Sequence, residues 1–514
     1  MASATSAPLL VDQNGACRFK SSEQDSEFCG SQAGGLSLSE VIVEIKMIYT
    51  IALPMIITGL LIYGKSLISM LFLGKLGKDV LAGGSLAIGI ANITGYSVIS
   101  GLALGMEAIS SQAFGAKQWA LMGQTLQRTV IILLFACIPI SILWLNIQPI
   151  LAFCDQDPTI SSIASTYLTF CLPDLIFQSF INPLKIYLRS QNITLPLMLS
   201  AALALALHAP MNYFFINHLS LGIQGIALSV AITDLILLAN LMVYLCFWGM
   251  QRKSWFLGNW ESVKCFDHEW KSILNLALPS CISVCLEWWW YELMILLSGV
   301  LANAAEAVAT MGILLQATSL IYVFPSALSL AASTRVGNEL GANQPSKARN
   351  SSIIALFCAI LTSFIAMSFM ATLGNTWARA FTEDEAIIAL TAAVMPIVGL
   401  CELGNCPQTT GCGVLRGSAR PSLGVHINLG SFYGVGLPLA VFMGFGMKMG
   451  LLGLWLGLLG AQIVCAVAMV WALSKTDWLL QVNRAKELTG STQIVDHEDE
   501  GGEEEGLTSI KMFY

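Results

Sequence analysis

The chain is predicted to be an all-α polytopic membrane protein, with twelve transmembrane helices in two pseudo-symmetric six-helix lobes. Three observations carry that prediction. Hydrophobic residues make up 55% of the sequence and charged residues 11%, with a mean hydropathy of +0.71, whereas a soluble domain is about one-quarter charged. Twelve apolar stretches are long enough to cross a bilayer, since about 20 residues at 1.5 Å rise cover a hydrocarbon core of about 30 Å. The first half of the sequence also recurs in the second at a nearly constant offset.

Taken in order, the spans are 47–72, 80–106, 121–151, 160–187, 194–216, 222–248, 272–297, 307–334, 351–374, 386–414, 422–446 and 450–474. Several contain Pro or Gly, which membrane helices tolerate when neighbours re-satisfy the backbone. The expected organisation is a cytoplasmic N-tail (1–45), an N-lobe (46–248), an inter-lobe linker (249–271), a C-lobe (272–475) and an acidic C-tail (476–514). Residues 1–40 are polar and lack an apolar signal core, so the first span is expected to act as the internal targeting signal.

The net charge of −7 belongs to the ends. Residues 1–44 and 476–514 together carry −10, which leaves +3 on everything between. The run DHEDEGGEEE (496–505) reads as a solvated tail. With the N-terminus inside, twenty of the 25 Lys and Arg residues fall on the cytoplasmic side. Lys75, Lys78, Arg379 and Lys448 fall on the other, and Lys65 lies within the first span. That bias predicts cytoplasmic termini, and leaves the sequons at Asn92, Asn192 and Asn350 in membrane or cytoplasm, unmodified. The fourteen cysteines form neither a CxxC pair nor a secreted framework, and no phosphate loop, HExxH or GxSxG signals an enzyme. No cofactor, metal or nucleic acid is expected. The expected partners are the lipid bilayer, protons and a small organic substrate, with the chain acting as a monomer.

The repeat is specific. Leu53-Pro54 recurs as Leu278-Pro279 and Gly74 as Gly299, both at an offset of 225. QAFGA (112–116) recurs as NELGA (338–342), Arg189 faces Arg416, and LGIQGIALS (221–229) matches MGLLGLWLG (449–457). Six spans per half is an even number, so the repeats run parallel about an axis along the membrane normal. That arrangement puts a site near the midplane between the lobes.

Ionisable residues inside spans are few, and each costs at least about 2.5–3.5 kcal/mol at the bilayer centre. Residues 272–297 hold two, Glu287 and Glu292, about 140° apart on the helix. Glu287 is nearest the middle and shares its face with Tyr291. In the repeat it stands opposite Ile62, while Glu292 stands opposite Leu67 and Lys65 opposite Trp290. This asymmetry favours a functional role, a protonatable coupling site, over a structural one. Glu402 lies in CELGNCPQTTGCGVLRG (401–417), with Asn405 one turn on and Pro407 breaking the backbone after it. Lys65 is expected to pair with Asp174 or Asp234, or else to contact an anionic substrate group. His208 and His426 read as satisfied core residues. Trp288 and its neighbours Trp289 and Trp290 spread around the helix, so some face a cavity and others lipid or protein.

FLGKLG (72–77), QAFGA, CLEWWWYELMILLSG (285–299), STRVGNELGA (333–342) and GVLRGSARP (413–421) together resemble the MATE family of multidrug and toxic compound extrusion transporters, most of all its plant detoxification branch. The resemblance covers residues 40–475. It implies a proton-coupled antiporter that exports small organic compounds or metabolites from the cytoplasm by alternating access, in a plasma, vacuolar or endosomal membrane. It places the protonation site at Glu287. It also places an Asp eleven residues before Arg416, where this sequence has Asn405. Either Glu402 takes over there or Glu287 works alone. The competing readings are a lipid flippase-like protein, a facilitative transporter without proton coupling, a channel and a membrane scaffold acting through its acidic tail.

Overall fold

The computed structural model describes residues 37–154, 156–247 and 268–490. Among these residues every regular element is helical, and twelve helices are long and apolar enough to cross a membrane. They are α1 (Leu38–Lys75), α2 (Lys78–Gly115), α3 (Trp119–Leu145), α4 (Pro158–Ser190), α5 (Leu195–His218), α6 (Ile223–Phe247), α7 (Trp270–Ser298), α8 (Ala304–Gly341), α9 (Pro345–Arg379), α10 (Glu385–Gly417), α11 (Pro421–Gly446) and α12 (Gly450–Ser474). The acidic stretch from 476 opens with a thirteenth helix, α13 (Trp478–Thr489), capped by the Asp477 carboxylate and ended by Gly490 at φ 67°. The acidic run at 496–505 and most of the connection after α6 lie outside the described residues.

Each half builds its own hydrophobic core. In the first, α4 packs on α2, α3 and α6 around Leu133, Trp144, Leu168, Tyr187 and Ile226. In the second, α10 packs on α8, α9 and α12 around Trp290, Met311, Met395 and Trp455. The two central helices, α4 and α10, are repeat equivalents. Prolines pass through the interior of α1, α3, α4, α5, α7, α8 and α10. Short π-helical segments interrupt α2 at Asn92–Tyr96 and α11 at Leu429–Gly436 and Phe442–Gly446. Such turns re-aim side chains and recur at functional positions.

Helices α2 and α8 outrun their apolar stretches at the C-terminal end. Ends at 106 and 334 are expected from hydropathy, yet α2 continues to Gly115 and α8 to Gly341. The added turns carry Glu107, Ser110, Ser111, Gln112, Arg335 and Asn338, all buried. Glu107, the Gln112 amide nitrogen and Arg335 are bonded to other helices rather than to water, so the helices continue where a hydropathy reading stops.

Those added turns form the seam between the lobes. QAFGA crosses NELGA: a Cβ on Gly115 would lie 2.1 Å from the Asn338 carbonyl oxygen, and one on Gly341 would lie 2.0 Å from that of Gln112. The contact is reciprocal, each glycine meeting the first residue of the other motif. Further along, Gly101 and Gly105 of α2 stand against the Cα atoms of Cys281 and Ala277 of α7, with no room for a Cβ. Gly59 of α1 meets Val323 of α8, and the Tyr63 hydroxyl donates to the Gln316 side-chain oxygen at 3.2 Å. The seam therefore pairs α2 with α7, α1 with α8, and α2 with α8, as a two-fold relation between repeats demands. Beyond Tyr63 and Ile93, toward the end that carries Lys75 and Lys448, no hydrogen bond or ion pair joins the lobes among the described residues. The opposite end, where Lys117, Arg189, Arg335, Lys347, Arg349, Arg416 and Lys475 gather, is the basic end. There the Arg335 fork donates to both oxygens of Glu44 at 2.9 Å and to Glu339 at 2.6 Å. Helix α13 rests on α8, α9 and the last turns of α2 at the same end.

Candidate functional site

A small cavity in the C-lobe is lined from α7, α10 and α11. Pro279 lies inside α7 and cannot donate to the carbonyl one turn back. Two turns on, half-buried Glu287 faces the Tyr322 hydroxyl of α8, with Arg416 of α10 as its opposing charge. Its carboxylate shares the face of Ser280 and Ser283, which line a small cavity with Cys412, Arg416 and Gly424. Ser283 accepts from the Asn428 amide at 3.2 Å, and Asn428 accepts from Gln408 at 3.3 Å. A polar chain thus runs from α7 across α11 to α10.

Glu402 is 1% exposed. The Asn405 amide donates to it at 2.8 Å, and the Cys406 thiol lies 3.7 Å from the same oxygen. Pro407 leaves the Leu403 carbonyl without its helical donor just beside this pair. Tyr291, half-buried, lies within electrostatic reach of both Glu287 and Glu402. The residue at the position where the resemblance expects an Asp is therefore a hydrogen-bond donor to the nearest carboxylate.

The remaining residues of α7 divide as three consecutive helical positions must. Trp290 is fully buried against Phe432 and Tyr433 of the π-helical turn in α11, with centroids 5.6 and 6.0 Å away. Trp289 is 44% exposed and donates to the Ile93 carbonyl across the seam at 3.2 Å. Trp288 is half-buried on the third side. The structure does not bring Glu292 to the acid pair; it is half-buried, with no ion pair among the described residues.

A second polar cluster fills the N-lobe. Lys65 pairs with Asp234 at 2.5 Å, their side chains 14% and 10% exposed. Gln178 donates to the other Asp234 oxygen at 3.0 Å. Asp174 takes a different partner, the Tyr96 hydroxyl at 2.6 Å, which the π-helical turn of α2 presents. His208 is fully buried and satisfied by Ser69, Asn212 and Thr233. Replacing Lys65 with Met leaves Asp234 buried without its cation. We expect that variant to lose about 3–5 kcal/mol, and Lys65→Met with Asp234→Leu to recover most of it. Melting temperatures of the purified proteins measure both.

Sequence reasoning missed Glu107, Tyr322 and the charge on Arg416 as parts of the site. Glu107 is 1% exposed at the seam, where it accepts from Arg189 of α4 at 2.5 Å and from Arg416 of α10 at 3.0 Å. The repeat held a signal for it: the two arginines are equivalent positions, while the 226 offset sets Glu107 opposite Ser333. Among the described residues no group of three or more His, Cys, Asp or Glu side chains is placed to hold a metal ion.

The MatE family model matches residues 54–214 and 279–442, so each match begins on the proline that opens a repeat. Protein DETOXIFICATION 48 of Arabidopsis thaliana is 55% identical over 89% of this chain and 85% of its own length. Protein DETOXIFICATION 49 of the same plant is also 55% identical, over 90% of this chain and 92% of its own length. Among solved structures, the eukaryotic MATE transporter AtDTX14 superposes with a TM-score of 0.83 at 30% identity, covering 87% of this chain and 99% of that one. Twelve spans, two repeated lobes and these likenesses make the chain a membrane transporter of the MATE family, grouped with the plant detoxification proteins.

Proposed function

We propose that the chain is a proton-coupled antiporter that moves small organic compounds out of the cytoplasm by alternating access, with Glu287 as the group that exchanges protons for substrate. The observation that carries this reading is the placement of Glu287. It is a half-buried carboxylate deep in a span, on the face of the serines that line the small C-lobe cavity and within electrostatic reach of a second buried acid, Glu402. Deep carboxylates in a transporter persist where they bind or relay protons. In this reading the basic end is cytoplasmic, by the excess of Lys and Arg there, and the glycine crossing closes the cavity to the cytoplasm. The Trp288 ring and Tyr291 supply flat aromatic surface for the substrate, and aromatic faces attract cationic groups. Lys65 is neutralised by Asp234, so the N-lobe adds no net charge from that pair. Asn405 takes no proton; it holds Glu402 as that acid takes the place of the expected Asp.

The test is substrate flux in sealed vesicles under an imposed pH gradient, with a broad metabolite panel. Flux that follows the gradient and collapses with a protonophore supports antiport. Flux indifferent to the gradient would leave a facilitator instead. Glu402→Gln is expected to lower gradient-driven flux by about tenfold, ~1.4 kcal/mol in the barrier, with folding intact because Asn405 retains an acceptor in the amide.

A further inference from the structure

We propose that Arg416 is the positioning residue that links the charge on Glu287 to the opening of the seam between the lobes, through the Glu107 carboxylate. This rests on the reading of Glu287 as the proton-exchanging group. Arg416 belongs to the C-lobe, yet its Nε donates to Glu107 of α2 at 3.0 Å, while its Nη2 donates to Ser329 at 2.9 Å. The same Glu107 accepts from Arg189 of the N-lobe at 2.5 Å. On its other side Arg416 faces Glu287 and Tyr322. One guanidinium is therefore bonded at the seam, lines the small cavity with Ser283 one turn before Glu287, and lies within electrostatic reach of that carboxylate.

The charges decide the direction. With Glu287 ionised, two guanidiniums are balanced by two carboxylates, Glu107 in direct contact and Glu287 within electrostatic reach of Arg416, and the group is neutral. When Glu287 takes a proton, Arg189 and Arg416 are left sharing Glu107 alone. An uncompensated positive charge then lies across a buried contact between the lobes, and like charges repel most where water is excluded. Arg189 and Arg416 sit on opposite lobes, so relief comes from parting them. Protonation from the far side thereby unlocks the basic end, and an ionised, empty carrier stays shut. That is the rule an antiporter needs to avoid leaking its gradient.

The other titratable and charged groups around the cluster are Tyr322 on α8, Cys412 on α10, Glu402 beyond Glu287, and Lys185 one turn before Arg189. Lys185 and Lys65 answer to Asp174 and Asp234, so the N-lobe cluster is balanced by itself. The backbone reinforces the lock. Gln112 Nε2 donates to the Gly417 carbonyl at 3.0 Å, and Gly413 and Gly417 leave no room for a Cβ against Ser329 and Ser333.

The experiment is amide hydrogen exchange at one neutral pH on the full chain in lipid nanodiscs. Glu287→Gln mimics the protonated acid, and its exchange over residues 107–117 and 333–343 should rise by at least about threefold over wild type as the seam opens. Adding Arg189→Gln removes one cation, restores neutrality and should return exchange to the wild-type level. A purely structural arginine predicts further loosening in the double variant, not rescue. Unchanged exchange in Glu287→Gln, or a double variant that stays open, overturns the link through Arg416. Gradient-driven flux, measured on the same proteins, separates the two readings. Lost flux with unchanged exchange sinks this link and leaves Glu287 as the proton-exchanging group, whereas gradient-driven flux that persists in Glu287→Gln removes Glu287 from that role.

Discussion

Glu287→Gln is expected to reduce gradient-driven substrate flux to the level of empty vesicles, while the protein still inserts and melts within a few degrees of wild type. The amide matches the carboxylate in volume, so the contacts with Tyr322 and the polar face of Ser283 persist. What it lacks is a proton to exchange. A carrier that cannot exchange protons cannot convert a gradient into substrate movement, so the loss is total rather than graded. Counterflow of substrate without a gradient is the informative companion measurement, because it needs alternating access but no net proton movement. Retained counterflow with lost gradient coupling identifies Glu287 as the coupling group. Loss of both makes it a binding residue, and retention of both removes it from the mechanism.

Gly341→Ala is the second large effect. The Cβ it adds would lie 2.0 Å from the Gln112 carbonyl oxygen and within 3 Å of two further backbone atoms. Backbone cannot swing aside as a side-chain tip can, so the crossing of α2 and α8 must separate. The expected loss is about 3 kcal/mol, the upper end of ordinary overpacking, and Gly115→Ala should match it because the contact is reciprocal. Gly312→Ala on the same helix is the control. Nothing lies within 4 Å of its Cβ position, so it should be neutral or stabilise by up to about 1 kcal/mol. Melting temperatures that fall equally for residues 312 and 341 would remove the crossing as the cause.

The fold was legible because its signals are redundant. Hydropathy marks the spans, the repeat fixes their grouping, and the glycine motifs recur at one offset. Helix ends were less legible. The last turns of α2 and α8 look like loop because Glu107, Gln112, Arg335 and Asn338 are polar, and only the facing helix explains their burial. The site divides along the same line. Glu287, Glu402 and Lys65 stand out within apolar helices, and the local pair of Glu402 and Asn405 follows from helical spacing. The choice of Asp234 over Asp174 as the partner of Lys65 does not, since both lie in the same lobe and the tertiary packing decides. Tyr322 and Glu107 act through contacts some 35 and 309 positions away in sequence, to Glu287 and Arg416, a relation no periodicity encodes.

The meeting of QAFGA with NELGA has the form of an isologous interface, the kind that joins two identical subunits about a two-fold axis. Between separate copies of one gene product, every change at such a contact is made twice, and a lone acid on the axis cannot arise without its twin. Covalent joining of the halves lifts that constraint. Glu107 faces Ser333 in the alignment of repeats, and a single carboxylate is gripped by an arginine from each side. A symmetric pair would have closed the seam with two acids and two bases, and it would have stayed closed. In the fused chain one acid serves both arginines, so the contact holds one more cation than anion within itself.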